Sequence, residues 1–149
     1  MHHRDDRPGY GYQLRKGATA LTESWAGLPN VSNNHFMLGH LMEWFHTGLG
    51  GIQQAAGSTA FKHFRIEPKM LDLLKDCEIR FESPYGKIYF NREQAEVYRL
   101  EIPVNSQCTL VLPKGTYQVN GKAMEAQTVN VKENHVELQL GSGKYTITR

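Results

Sequence analysis

Residues 77–113 read CEIRFESPYGKIYFNREQAEVYRLEIPVNSQCTLVLP. Four β-prone runs stand out in this stretch: CEIRFES (77–83), GKIYFN (86–91), EVYRLEIP (96–103) and CTLVLP (108–113). Aromatic and β-branched residues recur in each, and turn residues bound them. Ser83-Pro84-Tyr85-Gly86 falls between the first two, where Pro fixes φ and Gly allows positive φ, so the chain reverses tightly there. From Val97 to Ile102 apolar residues alternate with charged ones, the pattern of a strand with one wet face. Short strands at this spacing predict an antiparallel sandwich rather than a helical domain.

The same texture extends to both sides. FKHFRIEP (61–68) precedes the stretch, and TYQVN (116–120), HVELQLG (135–141) and KYTITR (144–149) follow it. Pro113-Lys114-Gly115, Asn120-Gly121 and Gly141-Ser142-Gly143 supply the further reversals. Residues 61–149 are therefore read as one β-sandwich domain. Cys77 and Cys108 fall inside strand runs and lack CxxC-type spacing, so they are read as small buried core residues.

Before residue 60 the character changes to loop followed by helix. In SNNHFMLGHLMEWFHTGLGGI (32–52), Ser32, Asn33 or Asn34 can cap a helix whose residues Met37, Leu41, Phe45, Leu49 and Ile52 recur at helical spacing. Phe36, Leu38, Met42 and Trp44 widen that stripe around most of the circumference. A helix apolar on nearly all sides packs among other helices. PKMLDLLKD (68–76) predicts at most one short helix, too little to surround it. A larger helical body is expected beyond these residues.

Composition excludes several classes. Seventeen Lys and Arg against 15 Asp and Glu give a formal charge of +2, with the basic residues scattered, so nucleic acid is not an expected partner. No run approaches the roughly 20 apolar residues of a membrane span, and MHHRDDRPGYGY has no apolar signal-peptide core. GxSxG, P-loop and GxGxxG patterns are lacking, and no cofactor is expected. His35, His40 and His46 stand five and six residues apart, whereas a helical metal pair needs three or four, so a zinc site is not expected either.

The segment GATALTESWAGLPNVSNNH (17–35) is where chemistry concentrates. Glu23 lies two residues from both Leu21 and Trp25, so in an extended conformation the three side chains share one face. A carboxylate among apolar groups is a candidate acid or base, although a single Glu is more often simply solvated. His35, in the first turn if Ser32 is the cap, meets the positive end of the helix, which favours a neutral ring able to donate and accept. Such a ring suits a sugar hydroxyl; satisfaction by local backbone is the competing reading. His40 and His46 read as packing residues. Trp25 can serve as a sugar platform or as core, and Trp44 reads as core.

Taken in order, PGYGYQLRKGATALTESW (8–25), SNNHFMLGHLMEWFHTGLGGI (32–52), FRIEP (64–68) and SPYGKI (83–88) resemble the C-terminal end of a bacterial α-L-rhamnosidase of glycoside hydrolase family 78. The resemblance covers nearly the whole chain. It implies an α+β chain: residues 1–60 as the last helices of an (α/α)6 barrel, incomplete here, and residues 61–149 as the β-sandwich that follows. It also implies Glu23 as the general base of an inverting hydrolysis, and His35 as a contact to bound rhamnose. Many relatives carry Trp immediately before that glutamate, where this chain has Thr22.

The general acid and most of the rhamnose pocket are implied to lie in barrel segments preceding Met1, so the chain alone is expected to be inactive. Its implied partners are a rhamnose-containing glycan or glycoside and the missing barrel portion, or a second copy through the exposed helix. A periplasmic or secreted parent is implied. The contrasting expectation is a stand-alone β-sandwich module that binds carbohydrate or protein without catalysis.

Overall fold

The computed structural model describes residues 4–69, 74–94, 96–123, 129–131 and 133–149. Two compact units divide the chain, residues 1–43 and 44–149.

In the second unit, eleven strands are assigned among the described residues: β1 (Ile52–Gln54), β2 (His63–Ile66), β3 (Cys77–Ser83), β4 (Gly86–Glu93), β5 (Val97–Ile102), β6 (Gln107–Pro113), β7 (Gln118–Val119), β8 (Lys122–Ala123), β9 (Val129–Val131), β10 (His135–Leu140) and β11 (Gly143–Thr148). They form two sheets, in the orders β1-β2-β6-β10-β9 and β3-β4-β5-β11-β7-β8. The quoted stretch supplies three neighbouring strands of the second sheet and the centre of the first. Between β3 and β4, Ser83 pairs with Gly86 across the two-residue turn Pro84-Tyr85. The Ser83 hydroxyl donates to the Gly86 carbonyl at 2.8 Å and accepts the Tyr85 amide at 3.2 Å, so side chain and turn sequence fix the register together.

The alternation seen in the sequence becomes the core. Phe64, Ile66, Leu110, Leu112, Val136 and Leu138 from the first sheet meet Ile88, Phe90, Tyr98, Leu100 and Ile147 from the second in one buried cluster. Each such aliphatic or aromatic side chain contributes about 1.5–3 kcal/mol when fully removed from water. Cys108 is buried in β6 and Cys77 half-buried in β3, both as free thiols, and burial pushes both thiols above their ordinary range.

One inward position of β4 is not apolar. Arg92 follows Ile88 and Phe90 on the buried face and is 1% exposed. Its guanidinium donates to the carbonyls of Lys75 at 3.3 Å and Lys69 at 3.4 Å, and to that of Leu74. A single planar cation with five N–H groups thus holds irregular backbone that has no ladder of its own. Arg92→Met is expected to lower unfolding free energy by about 3 kcal/mol, since a hydrogen bond from a charged donor contributes about 1.5–3 kcal/mol and the carbonyls of Lys69, Leu74 and Lys75 lose theirs. A urea midpoint equal to wild type would remove Arg92 from this role, and Arg92→Lys, which lacks the fork, is not expected to restore stability.

Tyr117 is 1% exposed, and its hydroxyl donates to the Pro113 carbonyl at 2.9 Å. Burial, reinforced by the neighbouring Tyr98 phenol, pushes its pKa up to about 12. An unfolded tyrosine titrates near 10, roughly, so the folded state holds this proton more tightly. Stability from this group is therefore complete below about pH 10 and is lost as pH rises towards the folded value. Alkaline unfolding followed by circular dichroism should coincide with the last phase of phenolate absorbance, and Tyr117→Phe should flatten it. Unfolding free energy independent of pH across that window would contradict this account.

The structure departs from the sequence expectations at four places. First, the sandwich is not wholly antiparallel, because β2 runs parallel to β6, with Phe64 opposite Cys108 and Ile66 opposite Leu110. Three strands of the other sheet separate β2 from β6 in the chain, so no hairpin constrains their relative direction. Second, Ile52 belongs to β1, not to the helix. Gly51 has φ +72°, and a Cβ there would collide with the Glu67 carbonyl; its own carbonyl accepts the Glu67 amide at 3.0 Å. Only glycine permits that close, left-handed approach, which ends the helical run.

Third, the helical run extends from Phe36 to Leu49 but changes hydrogen-bond pattern along its length, 3-10 at Phe36–Gly39, α-helical at His40–Glu43 (α2) and π-helical at Trp44–Leu49, α1 being Tyr10–Arg15 near the start of the chain. The 3-10 turn begins at Phe36, with His35 in the N-cap position and no side-chain cap bond, because the Ser32 hydroxyl instead accepts the Asn34 amide at 3.3 Å. That local turn competes with a helical cap. His35 consequently precedes the first turn instead of lying in it. Fourth, strands form at β8 and β9, which the sequence pattern does not predict, Lys122 and Ala123 offering no apolar alternation. Of PKMLDLLKD, Pro68, Lys69 and Leu74 to Asp76 lie outside regular structure, and Met70 to Leu73 fall outside the described residues.

Candidate functional site

The site residues named from sequence lie in the first unit, on two stretches that backbone bonds draw together. The Glu23 amide donates to the Ser32 carbonyl and the His35 amide to the Leu21 carbonyl, both at 2.8 Å. Residues separated by twelve positions in sequence thereby sit on adjacent segments. The Ser32 amide faces the Glu23 carboxylate at 3.4 Å. Glu23 is exposed and His35 half-buried.

The extended run does not continue to Trp25. Glu23 and Ser24 bend and Trp25 enters a turn, so Leu21, Glu23 and Trp25 do not share a strand face. The cause is the Ser24 carbonyl, which accepts from the Thr22 hydroxyl at 2.7 Å and from the Gln13 side-chain amide at 3.0 Å. The Gly27 amide donates to the same carbonyl at 2.9 Å, closing the turn. Thr22 and Gln13 are 5% and 3% exposed. Trp25 meets the Tyr10 ring edge-on, centroids 4.7 Å apart, which leaves it 37% exposed and engaged on one side. The Tyr10 hydroxyl donates to the Leu38 carbonyl, tying α1 to the segment after His35.

Beside this bend lies a recess of about 340 Å³ whose walls include Lys16, Thr19, Thr22, Leu28 and Asn33. A second, of about 280 Å³, opens against Tyr10, Gln13 and Leu21. Neither is lined by Glu23, His35 or Trp25. Two further carboxylates of the unit are engaged with cations: Asp6 bonds Arg4 at 2.6 Å, which pulls its pKa below the usual range, and Asp5 faces Arg15 at 4.0 Å. Among the described residues no three His, Cys, Asp or Glu side chains gather as a metal site.

Gln13 is not among the sequence candidates, and Thr22 figures there only as the residue that stands where many relatives have Trp. The available signal was a glutamine flanked by Tyr12 and Leu14 in a short helix, a polar residue where a core side chain would be expected.

Comparison with known proteins places this geometry. Residues 1–49 match the family model of the bacterial α-L-rhamnosidase 6-hairpin glycosidase domain, and residues 51–127 that of the bacterial α-L-rhamnosidase C-terminal domain. The chain belongs to the bacterial α-L-rhamnosidase family. A curated relative, the α-L-rhamnosidase of Streptomyces avermitilis, is 22% identical over 98% of this chain, which spans 15% of that protein. Among solved structures, the α-L-rhamnosidase from Dictyoglumus thermophilum superposes with a TM-score of 0.76 at 23% identity, over 99% of this chain and 18% of its own. The Streptomyces avermitilis enzyme complexed with L-rhamnose gives 0.76 at 22% identity, over 100% and 15%. Native α-L-rhamnosidase from Aspergillus terreus gives 0.68 at 21%, over 100% and 17%. The family match therefore runs through both units, while the chain covers under a fifth of each relative's length.

Proposed function

We propose that this chain forms the C-terminal part of an inverting α-L-rhamnosidase, its first residues completing an (α/α)6 barrel and its sandwich bracing that barrel. The observation that carries the reading is the match of the 6-hairpin glycosidase model across residues 1–49, the stretch in which Glu23 and His35 are brought side by side. In an inverting glycosidase one carboxylic acid protonates the leaving oxygen while a carboxylate, roughly 6.5–9.5 Å away, activates water on the opposite face. Glu23, exposed and aligned with a backbone amide at its carboxylate, takes the second role. His35 contacts the rhamnose, and Trp25 offers its exposed side to the sugar. The remainder of the barrel supplies the acid.

The first unit also presents the surface such a remainder needs. Phe36 is 82% exposed and Met37 57%. Neighbouring large apolar side chains this open to water suit a covering partner.

The reading is tested in an enzyme in which this chain is joined to the rest of its barrel. Incubated with an aryl α-L-rhamnoside, it should release rhamnose whose first-formed anomer, followed by proton NMR, is the β form. First release of the α anomer would exclude inversion. Rhamnose binding without hydrolysis would favour a binding module instead.

A further inference from the structure

The bend that carries Glu23 is held by one carbonyl with three donors, and one of them comes from outside the loop. Thr22 and Gly27 are near neighbours of Ser24, so their bonds to its carbonyl, at 2.7 and 2.9 Å, would form in many turns. Gln13 stands eleven residues away on α1 and reaches the same oxygen at 3.0 Å from a side chain that is 3% exposed. A buried amide placed there without a partner would be costly, so its position in the fold and its bond to Ser24 depend on each other. The peptide that bears this carbonyl joins Ser24 to Trp25, one residue beyond Glu23, so the bonds to it fix the course of the chain leaving Glu23 and with it the bend on which the Glu23 side chain stands.

We propose that Gln13 is a positioning residue for Glu23: by donating to the Ser24 carbonyl it fixes the bend that aims the Glu23 carboxylate at its water. The proposal rests on the reading of Glu23 as general base and adds what holds that base in place. Gln13 itself touches no reacting atom. Misplacement of a catalytic group by about 1 Å can lower a rate about 10²-fold, and the effect falls on kcat because ground-state binding does not depend on the aim of the base.

The experiment compares Gln13→Met, which keeps the length but removes the donor, with Gln13→Glu, in the enzyme in which this chain is joined to the rest of its barrel. Gln13→Met should lower kcat about 10- to 100-fold while KM stays within about twofold. In Gln13→Glu the buried carboxyl has its pKa raised by desolvation, so the protonated form can donate to the Ser24 carbonyl while the ionised form repels it. That variant should therefore approach wild-type kcat on the acid side and lose it as pH rises, a new descending limb in the profile that a packing defect does not produce. Hydrogen exchange on the 149-residue chain adds a local readout: the Glu23, Ala26 and Gly27 amides should lose protection in Gln13→Met while the β-sandwich amides keep theirs.

Wild-type kcat in Gln13→Met overturns the proposal. So does a uniform loss of protection together with equal falls in kcat for both variants at all pH values, which would make Gln13 a packing residue. Glu23→Gln separates the two layers. If that variant turns over normally the base assignment fails; if it is inactive and Gln13→Met is not, the base assignment stands and positioning by Gln13 fails.

Discussion

Glu23→Gln, made in an enzyme that joins this chain to the rest of its barrel, is expected to lower kcat on α-L-rhamnosides by about 10²–10⁴-fold, the usual contribution of a general base. The fold should not register the change. The Glu23 side chain is exposed, and the bonds that shape its bend are made by the backbone and by neighbours. The hydrogen bond it accepts from the Ser32 amide, at 3.4 Å from a carboxylate oxygen, can be accepted equally by an amide oxygen. What glutamine lacks is the ability to take a proton from water. KM should stay within about twofold, because an interaction made only in the transition state appears in kcat and in kcat/KM alike. Retained turnover with an unchanged melting curve would move the base to another carboxylate.

How much of this was readable beforehand differs between the two units for a physical reason. Strands such as β3 and β5 are set by local pattern: alternation specifies which face is wet, and Ser83 to Gly86 specify the reversal, so CEIRFES coincides with β3 from end to end. The direction of β2 relative to β6 depends on a chain crossing between sheets, which no local pattern encodes. The segment from Phe36 to Leu49 is apolar nearly all round, and its spacing predicts a continuous helix; Gly51 and the Ser32 turn truncate that run from both ends.

In the candidate site, Glu23 and His35 are proposed from residue type and motif, and their segments are set side by side by two backbone bonds whose partners are nine and fourteen residues apart in sequence. The shared face with Trp25 was not realised, because the Ser24 carbonyl gathers three donors and bends the chain there. Gln13 is not predicted from the sequence because its bond to the Ser24 carbonyl forms only once α1 packs against that bend.

The 149-residue chain by itself is expected to show no turnover of an aryl α-L-rhamnoside above that of its own Glu23→Gln variant. Protonating the leaving oxygen needs a carboxyl that still holds its proton at working pH, which enzymes arrange by burial away from cations. Asp6 has the opposite environment, its pKa drawn down by Arg4, and Asp5 faces Arg15. Losing general acid catalysis removes about 10²–10⁴ in rate, and losing the walls that orient the sugar removes a further factor that can be larger. The chain spans only 15% of the length of its curated relative. Turnover at the rate of a complete rhamnosidase would show that a carboxyl within these residues acts as the acid, and would overturn the division of labour argued for Glu23. Turnover that appears only when the rest of the barrel is added in trans would place the acid on that partner, and a parallel loss in the Glu23→Gln chain under the same conditions would place the base on this one.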